Sequence, residues 1–237
     1  MKFIGFILLF LAILPIFAQT KVSYGAKIGF NLAQHYGTKD QQQDYTVKTS
    51  FRSGISTGAY LDLHILPNFS LGYELLYSMK GSHETIIIKR MEIDGIMEDL
   101  PKPAEMKVKY YLDYLEVPIL LKVNVLDNNR IALSAVTGTA MSLKVKGYHE
   151  LSGIVYFPDG EEFSIISINE DSKLQNVNMF DYSFIYGGVL EYKSRIPILF
   201  EYRFTLGWDY LSLPTYQFFE PVQLRNQTYS LLIGTRF

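Results

Sequence analysis

Apolar and polar side chains alternate with a period of two along most of this chain, which is typical of strands with two chemically different faces. In the stretch FSLGYELLYSMKG, the odd positions from Phe69 to Met79 are apolar, whereas Ser70, Glu74 and Lys80 lie at even positions. The same alternation recurs along the chain. It predicts eight strands, at Val22–Gln34, Phe51–Leu66, Phe69–Gly81, Val108–Val125, Arg130–Val145, Met179–Tyr192, Ile196–Trp208 and Arg225–Phe237.

The connections between the predicted strands alternate between short and long. Only PN, LDNN and KSR separate the second strand from the third, the fourth from the fifth and the sixth from the seventh. The other connections are long, at His35–Ser50, Ser82–Lys107, Lys146–Asn178 and Asp209–Leu224. Short turns at one end and long loops at the other predict an up-and-down meander, as in the transmembrane barrels of outer membranes. A sandwich with Greek-key crossings would not sort its connections in this way.

The two faces of the predicted strands differ in a way that favours lipid. One face is aliphatic in its middle and carries Tyr, Phe or Trp towards its ends, which is similar to an aromatic girdle, and the other face carries the charges. A soluble barrel would have to bury those charges or expose the aliphatic band to water, and both are costly. We therefore expect an all-β fold: an eight-stranded antiparallel up-and-down transmembrane β-barrel with a charge-filled lumen.

Composition excludes several classes of function. Charged residues make up 19% of the chain, below the usual quarter, and the formal net charge of -2 gives no basic surface, so we expect no nucleic-acid partner. Cysteine is absent. Its absence rules out disulfides, thiolate metal ligands, cysteine nucleophiles and the lipidated cysteine of a bacterial lipoprotein.

The first residues have the pattern of a signal peptide. Lys2 precedes the apolar run Phe3–Leu14, and cleavage after Ala18 fits the small-residue preference of such sites. An uncleaved membrane anchor is the alternative, but the run is shorter than the roughly 20 residues that a spanning helix needs. We expect residues 1–18 to be the signal peptide and residues 19–237 to be an exported barrel domain.

The alternation also predicts which charges point into the lumen. These are Lys27, Asp62, Glu74, Glu116, Lys122, Glu191, Glu201, Arg203 and Arg236. An eight-stranded barrel has room inside only for side chains, so we expect these charges to pair and to form a structural network. The alternative is that Glu74, Glu116 and Glu201 form an acid–base site or a proton path. Pro118 lies within a predicted strand, where it predicts a local bulge.

Other candidate chemistry is sparse. The sequence has neither a Gly-x-Ser-x-Gly elbow nor a phosphate-binding glycine loop. Ser82 and His83 stand side by side at the start of a long connection, which is the one hint of a lipid-modifying enzyme. Four histidines show no metal-ligand spacing: His35, His64, His83 and His149. We expect no enzymatic activity, no metal site and no cofactor.

The long connections are the remaining candidates for function. Ile86–Ile88 begin a β-prone run that would extend a hairpin above the membrane, and Pro158–Gly160 predict a tight turn between two short strands. The last long connection is rich in apolar side chains. These side chains either fold over the barrel mouth or form a docking surface for a partner protein or lipopolysaccharide: Tyr210, Leu213, Tyr216, Phe218 and Phe219.

Four stretches resemble the Bacteroidota outer-membrane β-barrel family that includes PorT-like proteins. They are YGAKIGFNLA, GYELLYSMKG, YLDYLEVPILLKV and YSLLIGTRF, and the resemblance covers essentially the whole mature chain. It implies a place in the cell outer membrane among its lipids and assembly by the barrel-folding machinery, with Phe237 as the aromatic assembly signal. It also implies a link to type IX protein secretion and gliding, and to the other proteins of that apparatus.

The leading functional hypothesis is therefore a non-enzymatic accessory component of the type IX secretion and gliding apparatus. The main alternative is a structural, adhesive or ligand-binding barrel without a role in secretion. A lipid-modifying enzyme using His83 and a small channel are two further alternatives, and paired lumen charges would count against the channel.

Overall fold

The computed structural model describes residues 21–37, 45–93, 96–156, 162–169, 178–209, 211 and 224–237. The signal-peptide prediction falls on residues outside this set. The described residues form nine strands: β1 (Lys21–Gly37), β2 (Tyr45–Leu66), β3 (Phe69–Ile93), β4 (Ile96–Asp127), β5 (Ile131–Tyr156), β6 (Glu162–Asn169), β7 (Phe180–Tyr192), β8 (Ile198–Gly207) and β9 (Leu224–Arg236). Within the described ranges, no helix has the length and apolar character needed to cross a membrane.

Eight of the nine strands close into a ring. Hydrogen bonding follows the order β4-β3-β2-β1-β9-β8-β7-β5, and β4 pairs with β5 to close the circle. All neighbouring pairs are antiparallel, including β1 with β9, the pair that joins the first and last strands of the ring. This confirms the predicted eight-stranded antiparallel barrel. The ninth strand, β6, pairs with the upper part of β5, beyond the ring.

The strands on one side of the barrel are longer than the sequence pattern predicts. The stretch Ser82–Lys107 is not a loop, because β3 and β4 continue as a paired hairpin as far as Ile93 and Ile96. This confirms that the run at Ile86–Ile88 extends a hairpin. The two short strands predicted on either side of Pro158–Gly160 correspond to the end of β5 and to β6, which pair with each other, although that turn itself lies outside the described residues.

The bulge predicted at Pro118 is wrong. The β3–β4 register is the same on both sides of it, at Tyr73↔Ile119 and Leu76↔Glu116, and only the pairs between these two are missing from the ladder. Proline removes an N–H donor without adding a residue, so the ladder loses hydrogen bonds and keeps its register. The register shifts of the β4–β5 pair lie elsewhere, at Asp113/Tyr114 and Asn124/Leu126.

The outside of the ring carries the apolar band that the sequence predicts. Leu231 and Ile233 in the middle of β9 are 62% and 53% exposed. Aromatic pairs flank the band. Tyr24 and Phe237 lie 6.2 Å apart near the short turns, and Phe184 stacks on Trp208 at 4.8 Å near the opposite end. These positions correspond to the two interfacial girdles of a membrane barrel.

The chemistry of the two faces inverts where the wall leaves the membrane. The outward side chains of β4 are apolar from Leu115 to Val123 but charged at Glu105, Lys107 and Lys109. The inward side chains change in the opposite sense. Above the lumen charges lies a buried apolar group, here called the external cluster, made of Tyr45, Ile86, Ile88, Leu100, Ala104, Met106, Val108, Tyr110, Leu112, Tyr114 and Leu211. The membrane therefore ends close to Asp113. Above this level the barrel wall buries its apolar side chains and exposes its charged ones, as soluble proteins do.

Candidate functional site

The centre of the lumen contains two cations and two carboxylates, here called the central network. Lys27 Nζ donates to Glu74 Oε1 at 2.8 Å and to Glu201 Oε2 at 2.6 Å. Arg203 donates through Nη1 to Glu74 Oε2 at 3.0 Å and through Nε to Glu201 Oε1 at 2.9 Å. All four side chains are at most 4% exposed. Strands β1, β3 and β8 thus meet through balanced charges that fill the middle of the barrel.

Further ion pairs lie on both sides of the central network. Towards the short turns, Lys122 Nζ lies 2.7 Å from Asp62 Oδ1, and Arg236 lies 2.5 Å from Glu191. Towards the long connections, Lys80 pairs with Glu116, which also accepts a hydrogen bond from Ser142 Oγ at 3.0 Å. The structure thus places all nine sequence-predicted charges in the lumen, each in an ion pair.

The acid–base alternative required open carboxylates at Glu74, Glu116 and Glu201. Each of these groups instead accepts hydrogen bonds from a lysine or an arginine. Their geometry favours the structural interpretation, because buried charges are stable only when paired and hydrogen-bonded.

Several polar residues of the lumen were missing from the sequence-predicted set. Lys80 shares the inward face of β3 with Glu74, so the alternation alone could have identified it. A layer of neutral groups also crosses the barrel: Asn31 Nδ2 donates to Ser56 Oγ at 2.7 Å, Ser230 Oγ donates to Asn31 Oδ1 at 2.8 Å, and Ser56 contacts Ser78 at 2.7 Å. Single serines give little signal in a sequence, and their role depends on strand register.

Three of the four histidines do not lie where the sequence suggested. His35, His83 and His149 belong to strands β1, β3 and β5 rather than to loops. Ser82 is fully buried in the lumen, whereas His83 points outward, because adjacent residues of a strand face opposite ways. The neighbouring Ser82 and His83 therefore form no joint site. Among the residues that the structure describes, no three His, Cys, Asp or Glu side chains are close enough to hold a metal ion.

A different pair of residues meets in the upper lumen. His35 Nδ1 lies 3.2 Å from Glu84 Oε1, and its ring packs 5.3 Å from that of Tyr110. His35 is 1% exposed and Glu84 is 7% exposed, so the contact is fully enclosed beneath the external cluster.

The lumen opens into a polar cavity at the end of the short turns. Its volume is about 510 Å³, and His64 stands in its wall between Ser23 Oγ and Ser70 Oγ, at 3.0 and 2.9 Å. The ion pairs Asp62–Lys122 and Glu191–Arg236 also line it. The central network separates this cavity from the outer half of the barrel.

The predicted docking surface falls on residues outside the described set: Tyr210, Leu213, Tyr216, Phe218 and Phe219. Leu211 in the same connection is described. It is 3% exposed, belongs to the external cluster, and its N–H donates to the carbonyl of Leu224 at 2.6 Å. At this residue the connection packs inward.

Comparison with protein families decides what kind of barrel this is. The family described as outer membrane protein beta-barrel domain matches residues 17–208, most of the chain. The chain belongs to this family. Its place in the outer membrane, predicted from the sequence, is thereby confirmed, whereas the narrower PorT-like assignment stays a prediction.

Several solved structures are similar in fold at low sequence identity. The attachment invasion locus protein Ail of Yersinia pestis is 12% identical, with 92% of this chain and 99% of Ail covered and a TM-score of 0.37. Neisserial surface protein A is 10% identical, with the same coverage and a TM-score of 0.41. OprG from Pseudomonas aeruginosa is 7% identical, with 92% and 97% covered and a TM-score of 0.35. A search of curated proteins gave no match.

Proposed function

We propose that this barrel is a non-enzymatic accessory component of an envelope machine. The resemblance to PorT-like proteins favours the type IX secretion and gliding apparatus as that machine. Two features of the barrel together carry the proposal. Paired charges fill the middle of the lumen, and the β3–β4 hairpin continues far above the membrane. Such a barrel suits the role of an anchored platform better than the role of a conduit.

The central network supports this role because, among the described residues, it closes the lumen between the cavity at the short turns and the outer half of the barrel. Lys27 and Arg203 both contact Glu74 and Glu201, so the central network spans the barrel from β1 to β8. An eight-stranded barrel has space inside only for side chains, and here these side chains are held by several charged contacts each.

The external wall supports the role of a platform. The β3–β4 hairpin continues for twelve residues beyond Gly81 to Ile93, which corresponds to about 40 Å of strand. Its inner side packs into the external cluster, whereas Lys107 and Lys109 on its outer side contact water. A hairpin with its own apolar core can hold a fixed surface for a partner outside the cell.

A deletion strain tests the proposal. We expect it to lose cargo proteins from the medium and to retain them in the periplasm, as measured by mass spectrometry of both fractions. Wild-type protein should restore export. A variant in which residues 86–106 are replaced by Asn-Gly should insert as a heat-modifiable barrel and fail to restore it, because Thr85 and Lys107 are already paired and a two-residue turn can join them.

The matched control for the shortened hairpin is Arg236→Met, which alters the opposite end of the barrel and should restore export. A deletion strain that exports its usual cargo and glides normally would refute the proposal.

A structural or adhesive barrel is the second candidate, and the external cluster favours it too. That cluster gives the protein an ordered outer part whether or not a secretion partner exists. This function predicts altered attachment or detergent sensitivity in the deletion strain, with the proteins of the medium unchanged.

A further inference from the structure

We propose that the outside of the barrel carries a binding site for the phosphate groups of an outer-leaflet glycolipid, as distinct from the phosphodiester of an ordinary phospholipid. The site is built on a group here called the tyrosine platform, which consists of Arg52, Tyr111, Tyr148 and Lys146, with Lys109 beside it. It lies on the outer surface of β2 to β5, away from the lumen, and it does not depend on the proposed role in secretion.

The tyrosine platform is a stack of four groups. Tyr111 and Tyr148 are direct partners in the β4–β5 register, and their rings stack 4.4 Å apart at an angle of 7°. The Arg52 guanidinium lies 4.6 Å from the centre of the Tyr111 ring, and Lys146 Nζ lies 4.9 Å from the centre of the Tyr148 ring. Each end of the stack is therefore a cation held against an aromatic face.

A glycine makes the stack possible. Arg52 comes from β2 and must cross β3 to reach Tyr111 on β4, and it crosses at Gly81. A Cβ at Gly81 would lie 3.3 Å from Arg52 Cδ and 2.1 Å from the carbonyl oxygen of Tyr110, and its φ is +132°. Arg52 also donates to the carbonyl of Lys80, and its side chain is only 11% exposed. It therefore supports the platform from within instead of meeting a ligand.

The platform lies at the depth of the lipid headgroups. Below it, beyond Asp113, the outward side chains are apolar, as at Leu115 and at Val145, which is 52% exposed. Above it, Lys109 and Glu150 are charged and exposed. The long connections of an outer-membrane barrel face the cell exterior, so this boundary belongs to the outer leaflet. Tyrosines are favoured at such an interface because one end of the ring system is apolar and the other polar.

The charges around the platform are in excess on the positive side. Three cations, Arg52, Lys109 and Lys146, stand against two carboxylates: Asp113, which pairs with Arg52 at 3.6 Å, and Glu150. Asp113 is the register partner of Lys146 across β4 and β5, but its carboxylate pairs with Arg52, whereas Lys146 Nζ contacts the Tyr148 ring. Lys109 Nζ lies 3.7 Å from Glu150 Oε2, and its side chain is 48% exposed. Burial, then the positive charges of Lys109 and Arg52, lower the pKa of the neighbouring His83 below its usual value.

Two exposed ammonium groups thus flank a rigid aromatic surface at headgroup depth. Lysine binds phosphate as a point charge, and basic residues at a membrane surface attract anionic headgroups. A phosphate on an outer-leaflet glycolipid would lie within reach of Lys146 and Lys109 while its acyl chains cover the apolar band below.

The test uses the full-length barrel purified in a neutral detergent and titrated with bisphosphorylated lipid A or its dephosphorylated form, with bound lipid counted by native mass spectrometry. We expect the phosphorylated form to bind at least tenfold more tightly, and a Lys109→Gln/Lys146→Gln variant to lose this preference. Tyr148→Leu should weaken binding, because Lys146 loses its support, whereas Tyr148→Phe should preserve it.

Lys48→Gln is the matched control. Lys48 is exposed on the same outer face, paired with Thr85 at the level of Lys107, which is about 20 Å of strand farther from the membrane than Asp113. It should bind like wild type, and all variants should keep the heat shift of a folded barrel. Equal binding of the dephosphorylated lipid, an equal loss in Lys48→Gln, or equal affinity for phosphatidylglycerol would each overturn the assignment.

Discussion

Removing the arginine of the central network is expected to destabilise the barrel strongly. In Arg203→Met the buried carboxylates of Glu74 and Glu201 would share the single cation Lys27, with 2.8 and 2.6 Å contacts remaining. One buried negative charge would then be uncompensated. Breaking a buried ion pair by removing one partner typically costs roughly 3–5 kcal/mol, and we expect the free energy of unfolding to fall by about this amount.

The rescue is as informative as the loss. Arg203→Met combined with Glu201→Gln restores neutrality and leaves the Lys27–Glu74 pair intact, so it should recover at least half of the lost stability. The control is Arg236→Met at the mouth of the barrel, where the arginine side chain is 30% exposed. Solvent reaches that pair through the cavity at the short turns, so its removal should cost less, about 1–2 kcal/mol.

Unfolding can be followed in lipid vesicles by urea titration, with the fluorescence of Trp208 as the probe. Trp208 is the only tryptophan of the chain and lies 58% exposed on the barrel surface. Either of two results would refute the reasoning. One is that Arg203→Met lowers the free energy of unfolding no more than Arg236→Met does. The other is that the double variant Arg203→Met/Glu201→Gln loses as much stability as the losses of Arg203→Met and Glu201→Gln added together.

Three further predictions follow from the same geometry. Gly81→Ala should lower the yield of heat-modifiable barrel, because the backbone φ at Gly81 is +132° and the new Cβ would lie 2.1 Å from a carbonyl oxygen. The control Gly188→Ala, whose Cβ would have no atom nearer than 3.5 Å, should fold normally. Equal yields of the two variants would contradict this prediction. Val108→Asp, which buries a charge in the external cluster, should make the β3–β4 hairpin sensitive to protease added to intact cells. Ser152→Asp, at an exposed position, should not. Equal cleavage of the two variants would show that the external cluster does not stabilise the hairpin. The wild-type barrel in planar bilayers should give no stepwise conductance, and discrete steps would show that the central network does not close the lumen.

The external wall shows where sequence reasoning failed. Within the membrane the apolar face of a strand points outward, and above the membrane it points inward, as on β4 on either side of Asp113. If the apolar face is assumed to point outward along the whole strand, Met106 and Val108 are assigned to a loop or to its edge, although both lie within β4. The missing information was the height of the membrane boundary, which depends on the whole barrel.

The tyrosine platform was missed for a related reason. Tyr111 and Tyr148 become neighbours only through the β4–β5 register, which contains a shift at Asp113/Tyr114. Arg52 reaches them only because β2 has its own irregularity between Phe51 and Ser56 and because Gly81 leaves room on β3. None of these features has a local signature in the amino-acid pattern.

The sequence by itself determined which face of each strand meets lipid and which meets the lumen, because alternation is a local property and each face has one chemical character. From this followed the number of strands in the ring, the sorting of the turns and the inward direction of Lys27 and Glu201. Only the tertiary structure decided that these two residues touch, 174 positions apart. Their contact depends on the closure of the ring through β1 and β9 and on the stagger of its strands, and those are set by all the registers together.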